Sequence, residues 1–203
     1  MANVEAPYGL RPINLIGGQV YAGSTRQIKI DSGYDTDIFF GDIVAVGADG
    51  TIEKVEASGE DGTTNAFPAG VVGVFMGCTY TEPTLKYKLN AQYWPADTVA
   101  SDAMAYVCDD PDALFLVQAD GSLDQDALGK NVAVIQGTGN TQTGNSDLAA
   151  DAASLADDDF LPLRVVDFVD GPFSQVGDDY TDIIVKFNFG IHSYYNGTGV
   201  AGA

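Results

Sequence analysis

Histidine occurs once, at position 192, in a chain of 203 residues. The base that Ser-His-Asp and Cys-His mechanisms normally use therefore has a single candidate. His192 sits in "NFGIHSYY", after an alternating apolar stretch, and is read as a strand-end or interface group rather than a catalyst. Cysteine occurs twice, as Cys78 and Cys108, without CxxC spacing. That excludes a disulfide scaffold and a tight zinc-ligand pair, and buried free thiols are expected in preference to one disulfide. Lys and Arg total 9 against 29 acids, a net charge of −20. This excludes a nucleic-acid backbone as partner, because clustered cations must replace its counterions. No run reaches the ~18 apolar residues of a membrane helix. The opening "MANVEAPYGL" has neither the basic region nor the apolar core of a secretory leader, so synthesis in a cytosol and no membrane contact are expected.

Helical periodicity is also scarce, and what replaces it is alternation. "RQIKI", "IFFGDIVAV", "GVVGVFMGCTY", "AMAYVC" and "ALFLVQ" read as short strands, with a hairpin turn at Asp49-Gly50. In "TLKYKLNAQYW", Leu85, Tyr87, Leu89, Ala91 and Tyr93 fall on one face; in "DIIVKFNF", Ile183, Val185, Phe187 and Phe189 do. The expected fold is all-β, an antiparallel barrel or jelly-roll-like sandwich with little helix. "GSLDQDALGKN" suggests one short helix capped by Ser122, with Lys130 near its end. Residues 1–25, with two prolines and no helical period, read as an extended N-terminal arm. Residues 26–192 read as a single β domain in which 137–158 form a long loop excursion with one helical turn, and 193–203 as a flexible tail.

Eighteen of the acids are Asp residues between Asp97 and Asp182, answered there only by Lys130 and Arg164. Asp favours turns because its short carboxylate bonds nearby backbone donors. "DDPD", at 109–112, has oxygen ligands for calcium but lacks the alternate acids, central Gly and terminal Glu of an EF-hand loop. It is read as a turn between two strands. Twenty-nine acids offer many carboxylate pairs for glycoside hydrolysis, but nothing singles out two of them. The glycine-rich stretches match neither GxGxxG nor a Walker loop. No catalytic residue, cofactor or metal is assigned.

The arm "ANVEAPYGLRP", a "GDxV" element at Gly41, Asp42 and Val44, the "DDPD" turn leading to Val117-Gln118, and a closing strand from Phe187 to His192 occur in that order. In this the chain resembles the capsid decoration, or cement, proteins of tailed bacteriophages. The resemblance spans most of the chain, and 137–158 has no counterpart in it. It implies a non-enzymatic virion protein, made in the bacterial cytoplasm, that binds the capsid exterior and ties neighbouring major capsid subunits together, with self-association as a homotrimer. On that reading Tyr8, Leu10, Arg11 and Pro12 are the capsid contacts: an aromatic anchor, an apolar anchor, a bidentate donor and a rigid bend.

Two other classes stand beside it. A carbohydrate- or receptor-binding virion module would use an exposed Trp94 and neighbouring tyrosines for stacking. An acid-dependent hydrolase would need two specific aspartates.

Overall fold

Alternation of apolar and polar side chains dictates strands that bury one face, and two such faces must meet. The computed structural model describes residues 4–55, 70–172 and 174–195. Its strands are β1 (Arg11–Leu15), β2 (Arg26–Lys29), β3 (Ile43–Val46), β4 (Ile52–Lys54), β5 (Val71–Thr81), β6 (Lys88–Ala91), β7 (Met104–Cys108), β8 (Ala113–Gln118), β9 (Asn131–Ile135), β10 (Ala149–Ala156), β11 (Leu163–Phe168) and β12 (Asp182–Phe187). They form two sheets, ordered β1-β8-β12-β11-β9-β10 and β2-β7-β5-β3-β4, with β6 also on β5. Every ladder between these strands is antiparallel. The protein is an all-β sandwich.

The first sheet curls back on itself. Ala119, just past β8, bridges Ala150 of β10, and Asp120 donates its N–H to the Ala150 carbonyl at 2.9 Å. Ile183, Val185 and Phe187 of β12 point inwards with Phe115 and Val117 of β8, Val132 of β9 and Leu163 and Val165 of β11. Ile43, Val71, Val74 and Cys108 of the second sheet complete this core. Each such side chain contributes about 1.5–3 kcal/mol through burial.

The second sheet is covered on both faces. Val72, Phe75 and Cys78 of β5 pack away from the first sheet, against Ile30, Ile38, Ile52 and Trp94. Burial on both sides explains why β5 is a continuous apolar run and does not alternate. Its glycines serve close approach: a Cβ on Gly73, at φ +155°, would lie 2.0 Å from the Cys108 carbonyl oxygen. Cys78 and Cys108 are both buried and unbridged, and burial pushes the Cys78 thiol up to about 12.

Several sequence expectations need correction. Within 137–158, expected as a loop excursion with a helical turn, Ala149–Ala156 forms β10, paired to β9. Tertiary pairing overrides the helix preference of Ala and Leu there. The helix expected at Ser122 is a three-residue 3₁₀ turn, Gln125–Ala127, preceded by Asp124; the Ser122 hydroxyl instead donates to the Gly177 carbonyl at 3.0 Å. Leu85 and Tyr87 are exposed, because the Glu82 carboxylate accepts the N–H groups of Thr84 and Leu85 and folds the segment into a turn. Phe189 is 76% exposed, since β12 ends at Phe187. The arm expected over 1–25 is not separate: Arg11–Leu15 is an edge strand of the first sheet. Of the expected tail, Ser193 donates its N–H to the Val71 carbonyl at 2.7 Å, and 196–203 lie outside the described residues.

Candidate interaction surface

The "DDPD" turn links β7 in one sheet to β8 in the other. Pro111 presets the turn, and Asp110 accepts the Asp112 N–H at 2.9 Å, the local bond that makes Asp a turn residue. Its other acids are held by partners distant in sequence. Asp109 accepts Arg26 Nε at 2.6 Å and the Tyr194 hydroxyl at 2.7 Å. Asp112 accepts Lys186 Nζ at 2.8 Å and the Tyr195 hydroxyl at 3.2 Å. The Lys186 bond holds the Asp112 carboxyl below its ordinary range. Among the described residues no three His, Cys, Asp or Glu side chains gather in a metal-holding group. The acidic turn is a clasp for β2 and for the segment after His192.

His192 itself is 1% exposed and is packed edge-on against Phe187 and Tyr194, with ring centroids 5.9 and 5.0 Å away. Its Nδ1 accepts the Tyr194 N–H at 3.3 Å, and Nε2 is buried. Burial holds its pKa below the ordinary histidine value, with Asp109 and Asp110 opposing the shift. A neutral, sealed imidazole is a packing group.

The arm is fastened along its length. The Gln118 side chain accepts the Ala6 N–H at 2.7 Å and donates to the Val4 carbonyl at 3.2 Å. Tyr8 donates its hydroxyl to Asp182 at 2.9 Å, and burial raises both pKa values. Leu10 N–H bonds the Gly41 carbonyl at 3.0 Å, and Gly9 N–H bonds the Leu148 carbonyl at 3.2 Å. Beneath this crossing Asp42, fully buried, accepts Lys54 Nζ at 3.0 Å, the Phe39 N–H at 2.8 Å and the Ser146 hydroxyl. Of the four residues expected to touch a capsid, Leu10 is fully buried in its own domain and Tyr8 and Pro12 are half-buried. Only Arg11 is exposed, its guanidinium 4.5 Å above the Tyr8 ring. Leu10 is a core residue because its backbone is locked to Gly41, so the side chain can only point inwards.

Trp94 is fully buried, edge-on to Tyr80, so it offers no face to a sugar. A cavity of about 550 Å³ is lined by Asp35, Asp37, Lys54 and Gln136. Its charged groups are engaged internally, Lys54 with Asp42 and Asp37 with the Ala96 N–H at 2.7 Å.

The surface that sequence reasoning missed lies beside the end of β12. Ile16, Phe189 and Tyr195 are exposed, with Phe189 stacked on Tyr195 at 5.8 Å and 26°. The available signal was Asn188 and Gly190 around Phe189: the Asn188 side chain accepts the Phe189 N–H at 2.9 Å, and Gly190, at φ +90°, turns the chain after β12. No helix among the described residues is long and apolar enough to cross a membrane. No protein-family profile, curated protein or solved structure matches this chain.

Proposed function

We propose that the chain is a virion structural protein that binds the outside of an icosahedral phage capsid and stabilises it by bridging neighbouring major capsid subunits. The observation that carries this reading is where the four segments of the cement-protein resemblance lie. Gly9 and Leu10 of the arm meet Gly41 of the "GDxV" element. Gln118, at the end of the "VQ" strand, clasps Val4 and Ala6. The "DDPD" turn clasps the residues after His192. Segments far apart in sequence thus form three contacts, two of them between segments of the resemblance, as expected of motifs that specify one architecture.

The chemistry of the surface supports binding over turnover. The acids of the most conspicuous cluster are spent on internal bonds, and the lone histidine is sealed. A surface of net charge −20 carries no penalty outside a shell, away from the packaged genome. Stabilisation would be mass action: each tenfold excess over Kd adds ~1.4 kcal/mol per site to the closed shell. Of the contacts first assigned, Arg11 stays available at the surface, and Leu10 takes a structural role. Homotrimer formation is part of the same proposal.

Co-sedimentation with expanded capsids stripped of the protein tests it. Pelleting to a saturating stoichiometry is expected. A chain that stays in the supernatant at micromolar concentration overturns the reading, and glycan-array binding would then favour the receptor-binding class.

A further inference from the structure

An antiparallel sheet with one wet face normally carries polar residues at its outward positions. The first sheet departs from this. Leu114 and Leu116 of β8, Ile184 of β12 and Val166 of β11 alternate with core residues and are only half-buried. Next to them a cleft of about 190 Å³ is walled by Ile16, Val166, Phe189 and Tyr195, with Arg164 and Lys186 at its rim. A contiguous apolar patch of this kind on an otherwise strongly acidic molecule is what a protein interface presents.

The two cations at the rim are Cα partners across the β11–β12 ladder. Like charges directly opposite one another are destabilising. Lys186 has Asp112 as counter-ion, but Arg164 makes no ion pair among the described residues; its Nε donates to Asn131 Oδ1 at 3.0 Å. An anion beside Arg164 would offset the repulsion, and a guanidinium is suited to a carboxylate through two parallel hydrogen bonds.

We infer that this outer face of the first sheet, rather than Tyr8, Leu10, Arg11 and Pro12, is the docking face for the shell subunit, whose contact segment places a bulky apolar side chain in the Phe189–Tyr195 cleft and a carboxylate on Arg164. The inference rests on the capsid reading and supplies its contact residues. On a chain where acids outnumber Lys and Arg 29 to 9, two facing cations give this spot a charge complementary to a carboxylate. The exposed Phe189 ring, already ordered by stacking on Tyr195, supplies a rigid aromatic anchor at small entropy cost.

The test is a binding isotherm on stripped, expanded capsids for the parent chain, Arg164→Glu, Phe189→Ala and the distant control Lys88→Glu, with circular dichroism to confirm folding. Phe189 and Arg164 are exposed, so both variants should fold; Phe189→Ala, which disturbs no hydrogen bond, stands alone if the other does not. Parent and control are expected to bind alike, and each cleft variant about tenfold or more weaker. If the parent binds and both cleft variants match it, this inference is overturned while the capsid reading stands. If the parent itself does not bind, both fall together.

Discussion

Gly9 and Gly41 cross so closely that neither position has room for a side chain. A Cβ on Gly9 would lie 2.9 Å from the Gly41 Cα, and one on Gly41 would lie 3.0 Å from the Gly9 Cα. Both also adopt left-handed backbone, at φ +74° and +96°. Gly41→Ala is therefore expected to lose about 2–4 kcal/mol, from backbone strain and steric conflict together. Gly33, at φ +87° with nothing within 4 Å of its added Cβ, is the control, and Gly33→Ala should cost only about 1 kcal/mol. Urea unfolding of both variants checks the difference; equal midpoints would mean that the crossing is not tight.

Below that crossing, Lys54 and Asp42 form an ion pair whose side chains are 8% and 1% exposed. Removing one partner strands the other charge in the core, so Lys54→Met is expected to cost about 3–5 kcal/mol. Adding Asp42→Asn to it should recover part of that loss, because the stranded charge is gone. A double-mutant cycle measures this, and strictly additive losses would contradict the pairing.

Gln118 holds residues 4–6 through two hydrogen bonds. Gln118→Leu should cost only about 1–2 kcal/mol globally. Locally the effect should be larger, with faster proteolytic cleavage ahead of Tyr8, read by mass spectrometry. Unchanged cleavage would place the tether elsewhere.

His192 makes stability depend on pH. Its folded pKa lies below the unfolded value of about 6.5. The unfolded chain then binds more protons in the window just below 6.5, and stability falls as pH drops through it. Thermal midpoints should decrease between pH 7.5 and 5.5, and His192→Gln should flatten that slope. Asp112, whose pKa is lowered, is lost only at more acid pH and does not interfere. A slope unchanged by the substitution would assign it to another group, and not to Asp182, whose raised pKa makes stability rise as pH drops.

How much of this was legible in the sequence differs from element to element. The "DDPD" turn, the Asp49-Gly50 hairpin and the buried face of β12 were readable because local chemistry and tertiary packing agree there. β10 was not readable. Its Ala and Leu favour helix, and it becomes a strand through pairing with β9, with Ser154 bonding the Ala133 N–H where the ladder slips. Leu85 and Tyr87 alternate as a strand would, yet a carboxylate two residues upstream of Thr84 rewrites the backbone. The arm showed its extended conformation but not its destination, because the Gln118 and Gly41 contacts are non-local. The docking face was hidden for the same reason: Ile16, Val166, Phe189 and Tyr195 come together only when β1, β11 and β12 are assembled.

Thermal disruption of stripped capsids with increasing amounts of the purified chain tests shell stabilisation itself. The midpoint is expected to rise with added protein and to level off when the lattice sites fill. A midpoint that stays constant while the chain is bound at saturation would contradict a stabilising role.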